Sequence, residues 1–289
     1  VPPFDPASGF SSALDEARKV RDWITEADQV TKIADQFTKA AQGTLESKGL
    51  YNLGLLELRK RNKKGALAKF EAAASADSSY ANAHAMVGLM KQRLGMQGAD
   101  TSYQSALALE KFNSIANTIE AVRFMEARDW PQSFARSRMA LIGYAESPNA
   151  YLTLARVYYE QKQYDLARLV CEQALELDPT NAPIQNLLGL TFLRLDDVRA
   201  ALVWFERATK SNPNLPEAHL NLASTVLNYG DFERAEKHFS IGLDLQPENT
   251  DAQVGRAVAL RGLKRFDDSL KSYDAVLEIE PNNVDIRYN

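Results

Sequence analysis

Three histidines, one cysteine and a few paired carboxylates are the residues of this chain whose chemistry could make an enzyme. His219 and His238 can be read as the start of a metal site, but no cysteine or carboxylate at a ligand spacing completes it. Cys171 has no histidine at a register that would activate a thiol. The loop Gly95-Met96-Gln97-Gly98 lacks the Lys-Ser or Lys-Thr that follows a phosphate-cradling turn. Asp196-Asp197 and Asp267-Asp268 fall at helix starts, so they read as N-cap and first-turn charges in place of an acid/base pair. The basic run Arg59-Lys60-Arg61-Asn62-Lys63-Lys64 ends one helix and crosses a turn, where cations suit the C-terminal dipole. The net charge is −4, and aromatics do not interleave with the basic residues, so a nucleic-acid partner is not expected. These residues define no catalytic set, metal site or cofactor site.

The elements that carry them follow a repeat. In steps of 34, Pro179, Pro213, Pro247 and Pro281 line up. Twelve residues before each stands a small residue, Ala167, Ala201, Ala235 or Ser269, and twelve before that another, Ala155, Gly189, Ala223 or Ala257. A period in this range marks a solenoid of stacked units, each too small to bury its own apolar face. Small residues let two helices cross closely, an aromatic fills the space beside them, and a proline ends the unit because it cannot continue a helix interior.

These residues resemble the tetratricopeptide repeat (TPR) family. The first helix of a unit carries Leu188-Gly189, Leu154-Ala155 or Leu222-Ala223, and the second carries Ala201, Phe205, Ala208 or Ala235, Phe239, Gly242. The resemblance implies an all-α fold, a right-handed superhelical solenoid of helix-turn-helix units. Seven units are expected, at 47–80, 81–113, 114–147, 148–181, 182–215, 216–249 and 250–283. The first has Leu53-Gly54, Ala66, Phe70 and Ala73 in register, with Ser78 in the proline place. The second has Val87-Gly88, Ala99, Tyr103 and Ala106 and is one residue short, which predicts a distorted turn near Gly95–Gly98. The third lacks the Leu-Gly pair and the proline, which reads either as a tolerated ordinary repeat or as a place of altered curvature or a flexible joint; Trp130-Pro131 should start its second helix. His84 and His219 share the fourth place of a unit, which reads as a packing place, and Cys171 takes the aromatic slot as a small buried hydrophobe.

Residues 1–10 read as a coil tail, and 11–46 as a helical segment capped by Ser11 or Ser12. Its Trp23–Val30–Phe37 stripe fits either a cap on the first unit or a coiled-coil or partner-binding helix. The start VPPFDP reads as a processed or trimmed chain, and 284–289 as the beginning of an eighth unit that continues or is covered by another molecule. No apolar run approaches the roughly 18 residues of a membrane span. One cysteine decides neither cytoplasm nor periplasm. Residues 216–239 and 255–273 are similar to TPR proteins of bacterial cell envelopes, including gliding-motility and pilus-assembly scaffolds, which leans the compartment toward the periplasm or envelope.

Residues 47–113 carry ten basic and five acidic side chains, whereas 182–289 carry twelve and sixteen. This charge asymmetry could orient a partner or drive self-association at low salt. In the family the first helices line a concave groove. By register that implies Tyr51, Leu55, Leu58 and Arg59, then Ala85, Leu89, Gln92 and Arg93, then Thr118, Val122, Met125 and Glu126. Leu152, Arg156, Tyr159 and Glu160 follow, then Asn186, Leu190, Leu193 and Arg194, then Leu220, Ser224, Leu227 and Asn228, and last Val254, Val258 and Arg261. The mixed apolar and cationic lining suits an extended or helical protein segment with acidic residues. Chaperone-type TPRs grip a carboxylate with Lys at place five and Asn at place nine of a unit, and no unit here has that pair. The expected function is a non-catalytic scaffold or adaptor for one or more proteins. The alternatives are a self-assembling structural protein and the TPR part of a larger multidomain protein.

Overall fold

The computed structural model describes residues 43–279. The tail, the Ser11 and Ser12 caps, the Trp23–Val30–Phe37 stripe and the start of an eighth unit lie outside the described residues. Every regular element among those described is a helix. The chain divides into two compact units, 1–162 and 163–289. That division falls in the turn after Glu160, within the repeat 148–181.

In the first unit α1 spans Leu45–Arg59, α2 Lys63–Ala76, α3 Ala81–Arg93, α4 Ala99–Leu109, α5 Ser114–Glu126, α6 Trp130–Gly143 and α7 Pro148–Glu160. Consecutive helices pack as hairpins, α1 on α2, α3 on α4 and α5 on α6, and each hairpin packs on the next. The first helices also touch directly, α3 with α5 and α5 with α7, so they form one continuous row. The core is filled by Phe70, Leu67, Met86, Val87 and Met90, with Ala85, Ala106 and Ala116 beside it. α1 begins at Leu45, two residues before the expected start, because the Thr44 hydroxyl accepts from the Ser47 N–H.

In the second unit α8 spans Tyr164–Leu177, α9 Ala182–Arg194, α10 Val198–Ser211, α11 Pro216–Asn228, α12 Phe232–Leu245, α13 Thr250–Gly262 and α14 Phe266–Ile279. The hairpins are α9–α10, α11–α12 and α13–α14, and α9, α11 and α13 form the row of first helices. Phe205, Leu222, Val226, Phe239 and Leu243 fill a core cluster of this unit, among the small residues Ala201, Ala223 and Ala235.

The repeat positions have physical causes that the coordinates make explicit. A Cβ added to Gly189 would stand 2.6 Å from the Phe205 ring, and one on Gly88 2.5 Å from Tyr103. The aromatic therefore occupies the space that the glycine leaves open. The small second-helix residue marks a contact close enough for hydrogen bonding where it is serine. Ser133 Oγ donates to the Ala121 carbonyl at 2.7 Å, and Ser269 Oγ to the Ala257 carbonyl at 2.8 Å. Asparagine, aspartate or serine caps α2, α5, α6, α7, α9, α10, α11's neighbour α12, and α13 by accepting a backbone N–H three residues on.

The turns inside the hairpins share one backbone device. Arg61, Gly95, Arg128, Lys162, Asp196, Gly230 and Lys264 all have positive φ, and each is the fifteenth residue of its repeat. A left-handed residue there ends the first helix and reverses the chain. Asp196 belongs to this set, so of the pair Asp196-Asp197 only Asp197 is a helix cap, accepting from Ala200 N at 3.0 Å. Asp267 and Asp268 do lie in the first turn of α14. The short second repeat loses its residue from the second helix: the turn 94–98 is longer than the corresponding turn 127–129, and α4 has 11 residues where α6 has 14.

The turns between repeats use place four. His84 Nε2 bonds to the Ser78 carbonyl at 3.0 Å, Asn117 Nδ2 to that of Lys111 at 2.9 Å, Gln185 Nε2 to that of Pro179 at 2.7 Å and His219 Nε2 to that of Pro213 at 3.0 Å. Each acceptor lies six residues back. The place read as a packing place is therefore a donor place as well. It satisfies a carbonyl that the turn leaves without a backbone partner.

Candidate functional site

The histidine pair and the cysteine, the residues with chemistry to offer, are built into the fold. His219 donates from Nε2 to Pro213, so its Nδ1 is an acceptor. His238 Nδ1 lies 3.0 Å from it and is the donor, and the rings stack with centroids 5.3 Å apart. The pair spends its facing nitrogens on each other. Burial holds His219 below the ordinary histidine range. Burial, then repulsion from His219, Lys237 and Arg234, brings His238 down to about 4. Cys171 is fully buried, and desolvation pushes its thiol well up, away from a reactive thiolate. Among the described residues no three His, Cys, Asp or Glu side chains are placed to hold a metal. No helix there is long and apolar enough to cross a membrane.

The first unit contains a cavity of about 850 Å³ that is built by its row of first helices. Tyr51, Leu55 and Leu58 of α1, Leu89 and Arg93 of α3, Thr118 and Val122 of α5, and Leu152 and Arg156 of α7 line it. Met86, Ile115 and Ile119 deepen the apolar floor, and Asn82, Glu110, Asn113 and Asn149 form a polar wall. Asn113 Nδ2 donates to Asn82 Oδ1 at 2.7 Å and to Glu110 Oε2 at 2.9 Å, which fixes that wall. The Thr118 hydroxyl is shielded from solvent and has no hydrogen-bond partner among the described residues. Tyr51 packs against Phe70 and Tyr80, and its burial keeps its hydroxyl protonated. Arg93 and Arg156 are exposed and make no ion pair among the described residues.

Arg59, Glu126 and Tyr159 lie on the same first helices but do not line this cavity. In the second unit Asn186, Leu190, Leu220 and the exposed Arg194, Ser224, Asn228 and Arg261 stand on α9, α11 and α13. Asn186 accepts from Asn221 Nδ2 at 2.9 Å, and Leu190 and Leu220 pack on the core cluster. Arg194 is engaged with a neighbour, so it differs from Arg93 and Arg156. Sequence reasoning missed half of the polar wall because Glu110 and Asn113 stand at places thirty and thirty-three, outside the first helices, whereas Asn82 and Asn149 stand at place two. The register at Asn82 and Asn149 could have revealed the other half.

Models of the tetratricopeptide repeat match residues 148–181, 182–215 and 226–284. The chain belongs to the tetratricopeptide repeat family, and its all-α fold of stacked helical hairpins is the fold of that family. The STIP1 homologue of Dictyostelium discoideum is 28% identical over 105 residues, 36% of this chain and 19% of that protein. The peroxisomal targeting signal receptor of Saccharomyces cerevisiae is 26% identical over 108 residues, 37% of this chain and 18% of the receptor. The match thus spans about a fifth of the length of these curated relatives. Among solved structures, PilF of Pseudomonas aeruginosa superposes with a TM-score of 0.64 at 19% identity, covering 73% of this chain and 96% of PilF. At that identity the likeness shows the fold alone.

Proposed function

We propose that this chain is a non-catalytic scaffold that holds an extended or helical segment of another protein in the cavity of its first unit. One observation carries the reading: four successive first helices converge on one cavity with an aliphatic floor and two guanidinium groups, Arg93 and Arg156, that make no ion pair among the described residues. Leu55, Leu89, Val122 and Leu152 offer apolar seats, and the arginines favour a segment carrying carboxylates. The solvent-shielded Thr118 hydroxyl offers a polar group to whatever fills the space. Within the second unit, Asn186, Ser224, Asn228 and Arg261 give the first helices a lining of the same kind. Membership in a family of binding repeats supports the reading, and the similarity of 216–239 and 255–273 to envelope scaffolds supports a motility or pilus-type assembly as its setting.

Site-specific photo-crosslinking tests it. A photoreactive residue at Leu89 or Leu152 should capture a peptide from another protein in cells of the source organism. Capture should fall at least tenfold in the Arg93→Glu, Arg156→Glu variant, while a probe at exposed Lys237 yields no such peptide. Equal capture from both positions, or capture indifferent to the charge reversal, overturns the cavity as the binding site.

A further inference from the structure

The second unit carries a surface that the repeat pattern does not require. Its second helix α10 presents Arg199, Val203 and Arg207 at successive steps of four residues, so they form one stripe with a rise of about 6 Å per step. All three are exposed, Val203 by 48%. Trp204 and Tyr229, the latter 68% exposed, stand with them around an open depression of about 960 Å³. The Arg207 guanidinium lies over the Trp204 ring at 4.6 Å. That stack holds the cation in place while leaving its N–H edge available. Arg199 and Arg207 make no ion pair among the described residues.

Equivalent places in other repeats do not repeat the set. They hold Asp165, Leu169 and Gln173 in α8, Glu233, Lys237 and Ile241 in α12, and Asp267, Lys271 and Ala275 in α14. Folding therefore does not account for two cations bracketing an aliphatic residue beside two aromatics. The anionic groups of the depression sit at one end. Asp197 is committed to capping α10, and Asp196 is in the turn before it. Arg207, at the other end, has no carboxylate beside it in the lining.

We propose that this face of α10 docks an amphipathic helix of a partner protein. A partner carboxylate sits on Arg207, and an apolar side chain one helical turn away packs on Val203 and Tyr229. The step along the stripe is the reason for a helix: a partner helix repeats its own side chains at the same spacing, whereas successive side chains of a strand alternate between faces. The site is built from a second helix and a turn, so it is distinct from the cavity formed by the first helices.

A phage-displayed library of scaffolded single helices with randomised exposed positions, selected on the 289-residue chain, tests this. Enriched clones are then measured against the unaltered protein, Arg207→Glu, Val203→Asp and the double variant Arg93→Glu, Arg156→Glu, each checked for helicity. The expected clones carry an acid and an apolar residue three or four positions apart. They lose at least tenfold in affinity to Arg207→Glu and to Val203→Asp, keep it toward the double variant, and recover binding to Arg207→Glu when their acid is changed to arginine. Enrichment of clones without that acid, of clones sensitive only to the double variant, or of no clones at all overturns the proposal. The second of these outcomes would leave the first-unit cavity standing by itself.

Discussion

At the scale of single residues, the histidine pair shows how a constellation that reads as chemistry becomes structure. His219 must stay neutral, because a proton on its Nδ1 would point at the N–H of His238. Both folded-state values lie below the ordinary 6.5, and His238 reaches about 4. The sign follows directly. Above pH 6.5 neither the folded nor the unfolded chain is protonated at these rings, and the contribution is fully present. As pH falls toward 4 the unfolded chain takes up protons first, so stability is lost with acid. His219 is buried but His238 is only half-buried, and solvent screening there limits the expected loss to ~1–2 kcal/mol between pH 7 and 4. Urea unfolding across this range should show that decline, and the variant His219→Gln, His238→Gln should flatten it. Gln185 shows that glutamine can make the place-four bond. An unchanged slope in the double variant would assign the acid sensitivity to other groups.

At the scale of elements, the left-handed residue at place fifteen gives a sharper expectation than any contact. A side chain in that conformation costs ~1–2 kcal/mol, and only Gly95 and Gly230 avoid the cost. Glycine also gains more freedom on unfolding, so Lys264→Gly should stabilise by a net ~0.5–1 kcal/mol. A rise in melting temperature checks it; a fall would mean that the lysine side chain makes a contact worth more than the strain. This feature was not legible in the sequence, because Arg61, Arg128, Lys162, Asp196 and Lys264 share only a charge, which exposed residues carry throughout the chain. The place-four bonds were hidden for a related reason: their acceptor is a carbonyl, which every residue has. The helix pairing was legible from Gly189 with Phe205 and Ala201 because those places are fixed by steric fit, which only particular residue types satisfy. The cavity was legible in part. Its aliphatic floor and Arg93 and Arg156 follow from register, but that Arg93 and Arg156 make no ion pair among the described residues depends on neighbours in space.

At the scale of the whole molecule, contacts run mainly between adjacent helices, so stability should spread from neighbour to neighbour. Phe205→Ala removes a fully buried ring from the cluster shared by α10, α11, α12 and α13, at an expected cost of ~3–5 kcal/mol. Hydrogen exchange should report the loss first in α9, α10 and α11, with α13 and α14 retaining protection longer. Uniform loss across the second unit would show it to be one cooperative block. The two proposed surfaces fit the same economy of construction. First helices contribute the lining of the cavity, and a second helix contributes the stripe on α10, so a substitution on one leaves the other's hairpin faces intact.

The burial of Cys171 has a practical corollary. It is the one cysteine of the chain and is closed to solvent. A thiol introduced at Leu55, Arg156, Val203 or Tyr229 would therefore be the sole site open to maleimide dyes or spin labels. Either surface can be watched in a background that needs no prior removal of a native thiol.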